Sequence, residues 1–318
     1  MVRPRILQIG SLAGSPGADA KLQSMYDVIE LWRAPDRESC LRAASNVEVV
    51  VTTAGHGCTR EVIEALPHLK AICSWGVGYD SIDLDAARER GIVLTNTPDV
   101  LNDCVADEAW GLLLACARRI AHGDRHVRAN AWENKQGALP LGVRVSGKKL
   151  GIAGLGRIGL AIAKRGHGFD MNIRYHNRSP RNDVPYAYMS SLVELADWAD
   201  FLVVATVGGS ETRALINREV LRALGPQGII VNIARGTVID ETAMVELLAS
   251  GELGGAGLDV FEKEPKVPDA LKSMNQVVMM PHVASATVET RQAMTNLLLE
   301  NIEAYFTGKP LLTPVSNP

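Results

Sequence analysis

Aromatic residues are scarce in this chain, 5% of 318 residues, and neither sign of charge dominates: 33 Lys and Arg stand against 36 Asp and Glu. That balance leaves no basic footprint for nucleic acid or an anionic membrane and points to a small-molecule partner. No run approaches the ~20 apolar residues of a membrane helix. The stretch Ile6 to Ile9 behind Met1-Val-Arg-Pro-Arg is shorter than a signal-peptide core and has no small-residue cleavage site after it. The five cysteines, Cys40, Cys58, Cys73, Cys104 and Cys116, are odd in number and lack any Cys-x-x-Cys spacing. Reduced thiols, no metal and a cytoplasmic location are therefore the expectation.

No repeat, low-complexity tract or charge block interrupts the chain, yet its length exceeds that at which a single core stops growing, so two domains are expected. Short β-branched or Leu-rich runs recur at Arg5 to Ile9, Val47 to Thr53, Leu69 to Ser74 and Ile92 to Thr95, with helical stretches such as Thr59 to Ala65 between them. From Asp99 to about Ala121 the apolar spacing is helical, with aspartates early and Arg118 and Arg119 late, the charge order that suits a helix dipole. A second alternation follows: Lys149 to Ala153, Asn172 to His176, Phe201 to Ala205, Gly228 to Ile233, Gly255 to Asp259 and Val277 to Met280. That is the strand count of a dinucleotide-binding sheet. A last helical pattern, about Val288 to Thr307, comes after this sheet is complete and can pack back onto the first domain.

The expected architecture is α/β, with two Rossmann-like domains and a cleft between them. Residues 1–98 and 285–318 form a discontinuous, flavodoxin-like substrate domain, and 99–284 a doubly wound dinucleotide-binding domain.

The strongest local signal is Gly154-Leu155-Gly156-Arg157-Ile158-Gly159, with an apolar strand before it, an Ala-rich helix after it and a further strand about twenty residues on. In such a loop the first glycine turns the chain and the second lets backbone approach a pyrophosphate. The third lets helix and strand pack closely, while the helix N-terminus offers its amides. The next strand ends at Asn177-Arg178-Ser179, where an NAD-selective site places an acid for the ribose 2'-hydroxyl. Here the stretch has none, and Arg178 and Ser179 can bind a 2'-phosphate, so NADP(H) is favoured with NAD(H) still possible. Thr206, Ile233, Ala234 and Ser285 are further candidates for the cofactor-binding set.

Three polar residues stand where apolar strands end: Arg235, Glu264 and His282. Each alone has an ordinary reading, as a turn residue, a loop charge or a structural histidine. Together they are a complete set for reducing a 2-keto acid. Arg235 can hold the substrate carboxylate or carbonyl. His282 can donate a proton to the developing alkoxide, and the carboxylate of Glu264 can favour the protonated imidazole.

Gly154-Leu-Gly-Arg-Ile-Gly159, Asn232-Ile-Ala-Arg-Gly236, Gly257-Leu-Asp-Val-Phe261 with Glu264-Pro265, and Pro281-His-Val-Ala-Ser285 resemble the ordered motifs of the D-isomer-specific 2-hydroxyacid dehydrogenases. Ser74-Trp-Gly-Val-Gly-Tyr-Asp80 and Thr95-Asn-Thr-Pro98 extend the likeness over essentially the whole chain, and His176-Asn-Arg-Ser179 is similar to the NADP-preferring glyoxylate/hydroxypyruvate and hydroxyphenylpyruvate reductases. The resemblance implies that Arg235, Glu264 and His282 are catalytic and that Asp259 lies near the nicotinamide carboxamide. It also implies that the Val77 and Gly78 amides bind the substrate carboxylate, and that a homodimer forms through the cofactor domains. Trp75 and Trp132 are candidates for lining the substrate pocket, and His56 and Cys58, after the second predicted strand, for bordering the same cleft. NAD-dependent D-2-hydroxyacid, formate and phosphonate dehydrogenases, and a non-catalytic nucleotide-sensing corepressor, are the alternative readings on the same architecture.

Overall fold

A computed structural model describes residues 3–315 and divides the chain into two compact units: residues up to Leu101 together with those from Ser285 onward, and Asn102–Ala284.

The first unit holds a parallel sheet of β1 (Arg5–Gln8), β2 (Asp27–Glu30), β3 (Val49–Thr53), β4 (Ala71–Trp75) and β5 (Val93–Thr95), in the order β2-β1-β3-β4-β5. This is the flavodoxin-like order. Both faces of β3 and β4 are covered, and every residue of the two strands is buried, as central parallel strands require. Edge strand β2 has no match among the predicted strands. His56 and Cys58 consequently follow the third strand, not the second. Helix Val288–Phe306 belongs to this unit, and its buried Asn301 accepts the amides of Leu312 and Thr313 at 3.0 and 3.1 Å. The Thr313 hydroxyl in turn donates to the Asn96 carbonyl at 2.6 Å, so residues near the C-terminus clasp the segment after β5.

The second unit holds a seven-stranded parallel sheet. Its strands are β6 (Lys149–Ala153), β7 (Asn172–His176), β8 (Ala187–Tyr188), β9 (Phe201–Val204), β10 (Ile229–Asn232), β11 (Gly255–Leu258) and β12 (Val277–Met279), in the order β12-β11-β10-β9-β6-β7-β8. The order reverses between β6 and β9, the topological switch point at which doubly wound sheets bind ligands. Helix Asn102–Ala117 covers β10 and β11: a Cβ at Gly257 would lie 3.0 Å from Leu112 Cβ, so the glycine lets this helix settle closely on the sheet. Cys116, on the same helix, donates from Sγ to the Ala256 carbonyl at 3.1 Å, and burial pushes its thiol up to about 12. Arg165 on helix Arg157–Gly166 reaches Asp107 at 2.7 Å and Asp103 at 3.2 Å, joining the two helices.

The single helix predicted from Asp99 to Ala121 is two. Arg119 adopts a left-handed φ of 55°, and a second helix, Ile120–Arg128, starts there with no buried residue. Ile120, Val127, Trp132 and Leu141 are exposed on or near it, Leu141 by 92%. Among the described residues no helix is long and apolar enough to cross a membrane.

Candidate active site

The glycine loop joins β6 to the helix that begins at Arg157. Gly154 has φ 99°, and a Cβ there would lie 2.7 Å from the backbone of Ala205 and Thr206, so the turn needs glycine. At Gly156, by contrast, a Cβ would meet nothing within 4 Å, leaving a bare patch of backbone at the mouth of the helix. The first amides of a helix have no intrahelical acceptor. The Thr206 hydroxyl beside this turn is buried and has no partner among the described residues. An open glycine cradle, helix amides and an orphaned buried hydroxyl at the switch point together fit a dinucleotide pyrophosphate.

Leu155 plays a different part from the one expected. Its side chain is buried, its amide donates to Asn177 Oδ1 at 2.6 Å, and its carbonyl accepts from Arg181 Nη1 at 2.8 Å. Asn177 thereby pins the loop to the end of β7. Arg178 and Ser179 are exposed, and Arg178 pairs with Glu211 at 2.8 Å, the two side chains 85% and 77% exposed. The stretch itself contains no acid, but the fold brings one to it. Glu211 lies 33 residues further on, in the turn Ser210–Thr212 after β9, and arrives only through the fold.

The three candidate catalytic residues, Arg235, Glu264 and His282, lie in the turns that follow β10, β11 and β12. After β10, Asn232 accepts the Ala234 amide at 3.0 Å and donates to the Arg235 carbonyl at 2.9 Å, fixing the turn on which Arg235 stands; Ile233 and Ala234 are buried beneath it. A Cβ on Gly236 would fall 1.9 Å from the Phe261 backbone, so the turns after β10 and β11 press together at that glycine.

Glu264 accepts the Phe261 amide through Oε1 at 3.0 Å and contacts His282 Nδ1 through Oε2 at 2.7 Å. Burial alone would raise its carboxyl. The hydrogen bond and charge of His282, the Phe261 amide and the charge of Arg235 outweigh burial and hold it below the ordinary carboxylate range. With Nδ1 taken by Glu264, Nε2 is the imidazole nitrogen left for a substrate.

His282 itself has φ 55°, an uncommon conformation for a residue with a side chain. Asp259 maintains it. The Asp259 carbonyl accepts the His282 amide at 2.8 Å, and its carboxylate accepts the amides of Val283 and Ala284 at 2.7 and 2.9 Å. Burial pushes the Asp259 carboxyl up in spite of those two bonds. Half-buried Glu108, on the helix covering β11, is also raised, by burial first and then by Asp259. Neither the capping role of Asp259 nor the neighbouring Glu108 is visible in a motif. Among the described residues no group of acids, histidines and cysteines is arranged to hold a metal.

In the other unit, Trp75 ends β4 and the Gly76–Gly78 turn follows. Thr97 accepts the Gly76 amide at 3.0 Å and donates its own to the Gly76 carbonyl at 2.9 Å, while Asn96 Nδ2 donates to the Val77 carbonyl at 2.9 Å. The Thr95–Pro98 motif is thus the clamp of this turn. Ser285, expected at the cofactor, begins the second segment of this unit. Cys58 does not border a cleft. It is buried in the apolar core of its sheet, and burial pushes its thiol up to about 12, whereas His56 is exposed and bonds Thr53 Oγ1 at 2.8 Å.

Residues 110–284 match the NAD-binding domain of the D-isomer-specific 2-hydroxyacid dehydrogenases. The chain belongs to that family. Hydroxyphenylpyruvate reductase of Plectranthus scutellarioides is 48% identical over 298 residues, covering 93% of this chain and 95% of the relative. A glyoxylate/hydroxypyruvate reductase of Arabidopsis thaliana is 46% identical over 296 residues, covering 93% and 94%. Among solved structures, the NADPH-dependent glyoxylate/hydroxypyruvate reductase of Sinorhizobium meliloti, in complex with NADP and malonate, is 40% identical. It superposes with a TM-score of 0.90 over 99% of this chain and 97% of that one.

Proposed function

We propose that this D-2-hydroxyacid dehydrogenase works as an NADPH-dependent reductase of 2-keto acids such as glyoxylate, hydroxypyruvate or an aryl-pyruvate, with NADH as a weaker substitute. The observation that carries the reading is the 2.7 Å contact between His282 and Glu264 at the ends of β11 and β12, within the field of Arg235. Bound at the glycine loop, a reduced nicotinamide supplies the hydride. Arg235 is read as the group that holds the carboxylate or carbonyl of the keto acid and fixes its C2. His282 is read as the general acid: Nε2 gives its proton to the alkoxide oxygen while Glu264 stabilises the charged imidazole through Nδ1. Asp259 keeps the histidine turn in place. Trp75 and the amides of Val77 and Gly78 are the proposed substrate contacts of the other unit.

For the cofactor, Gly154, Gly156, Arg157, Ile158, Gly159 and Thr206 are the proposed pyrophosphate side, and Arg178 and Ser179 the groups for a 2'-phosphate. The relatives named above support NADP(H). The Arg178–Glu211 pair is exposed, hence worth only ~0.2–1 kcal/mol, so a phosphate dianion can displace the carboxylate. The same acid can accept a ribose hydroxyl, which keeps NADH usable.

A homodimer through the cofactor unit is part of the reading, supported by the helix Ile120–Arg128 with no buried residue and by exposed Val127, Trp132 and Leu141. Trp132, 74% exposed, is better read as part of that surface than of a substrate pocket. A cytoplasmic location is supported by the absence of any disulfide among the described residues. Mixing enzyme with NADPH and glyoxylate, hydroxypyruvate or phenylpyruvate and following NADPH absorbance tests the function. Turnover is expected, and no turnover with any of the three rejects it.

A further inference from the structure

Trp75 is 6% exposed, yet its indole Nε1 has no hydrogen-bond partner among the described residues. A buried N–H without an acceptor is costly to leave unpaired, and such groups in native proteins call for an explanation. The position suggests one. Trp75 closes β4 at the carboxyl edge of a parallel sheet, the edge at which α/β sheets bind ligands. The Val77 and Gly78 amides, proposed above for the substrate carboxylate, lie two and three residues further along the same turn.

The indole is held from two sides. The Arg291 guanidinium sits over its ring, 4.7 Å from the centroid. The backbone at Gly14, in the loop after β1, packs so closely on its outer edge that a Cβ there would lie 3.2 Å from Cη2. Stacking and packing therefore fix the ring while leaving its N–H unused. The donor is preorganised before any ligand arrives, and a ligand that supplies an oxygen satisfies it at no further ordering cost.

Resting on the 2-keto acid reading, we propose that Trp75 is a specificity-determining residue whose indole N–H donates a hydrogen bond to an oxygen on C3 of the substrate. The chemical class so selected is the 3-hydroxy-2-keto acids. Glyoxylate has no C3 and gains nothing from the contact; pyruvate has a methyl group there and leaves the N–H buried and unpaired. A site built to bond a substrate hydroxyl discriminates strongly against the analogue that lacks it.

The test compares kcat/KM with NADPH for hydroxypyruvate, pyruvate and glyoxylate in the wild type and in Trp75→Phe, which keeps an aromatic ring beneath Arg291 and removes the N–H. The wild type is expected to favour hydroxypyruvate over pyruvate by at least tenfold. In Trp75→Phe that ratio is expected to fall about tenfold, with a smaller loss on glyoxylate than on hydroxypyruvate. A wild-type ratio near one overturns the proposal without any variant, so it stays decidable if Trp75→Phe fails to fold. A ratio preserved in the variant, or an equal loss on all three substrates, also overturns it by showing that the ring only supports the turn. Failure of the underlying function looks different: the wild type then turns over none of the three.

Discussion

Asp259 holds the turn of His282 at three points, through its carbonyl to the His282 amide at 2.8 Å and through its carboxylate to the next two amides. Asp259 thus spends both carboxylate oxygens on backbone. Asp259→Asn can accept through only one of the two and sets a donor against the other amide. We expect it to destabilise the protein by about 1–3 kcal/mol in urea titrations and to lower kcat at least tenfold. His282→Ala is expected to lose ~10²- to 10⁴-fold in kcat with cofactor affinity near normal. If Asp259 acts through His282, Asp259→Asn costs far less kcat in the His282→Ala background than in the wild type. Additive losses reject that link.

Glu264 is held ionised by its neighbours, and the sign of its pH dependence follows. Because its folded value is depressed, its stabilising contribution is present above the unfolded value of ~4.3 and is lost as pH falls through the lower folded value. Glu264→Gln removes the charge that favours the imidazolium. The alkaline limb of kcat/KM for keto-acid reduction should then move to lower pH, with kcat reduced throughout. An unmoved limb shows that another group controls the proton.

Arg178 and Glu211 make opposite predictions about the cofactor. Arg178→Ala should raise KM for NADPH ~10- to 100-fold, the worth of a charge-assisted hydrogen bond, and KM for NADH less than threefold. Glu211→Ala should lower KM for NADPH by releasing the arginine and relieving repulsion of the 2'-phosphate. Equal effects of Arg178→Ala on both cofactors reject the assignment.

The Glu108 carboxyl is raised by burial and by Asp259, so its ionised form weakens the fold. Glu108→Gln should raise the melting temperature at neutral pH, where the acid is charged in the wild type. That gain should shrink as pH falls through the raised folded value and vanish below the unfolded value of ~4.3. A gain of equal size at all pH values assigns the effect to packing.

What could be read from sequence, and what could not, divides along physical lines. The run Lys149 to Ala153 coincides with β6 because a strand buried in a parallel sheet is continuous in hydrophobicity, whereas Asn172 to His176 coincides with the mostly half-buried β7 through the alternation of Ile173 and Tyr175 with polar residues. Edge strand β2, Asp-Val-Ile-Glu, has one exposed and three half-buried residues and so gives no such run, and β8 is only two residues long. The break at Arg119 lies inside an unbroken helical pattern, since nothing in the side-chain spacing reports a single left-handed φ. His282 and Glu264 were legible as residue types at strand ends. The Glu211 partner of Arg178 and the Asp259 brace were not, because each is a meeting of segments 20 or more residues apart.

The clasp of Thr313 on Asn96, 217 residues away, carries a consequence for the order in which the molecule is completed. Chains fold from the N-terminus as they leave the ribosome. The five strands of the first sheet and the whole glycine loop are available long before residue 313 emerges. The Gly76–Gly78 turn, however, is braced by Asn96, and Asn96 by Thr313. A nascent chain can therefore complete its glycine loop while Thr313, which braces Asn96 and through it the Gly76–Gly78 turn, is still unsynthesised.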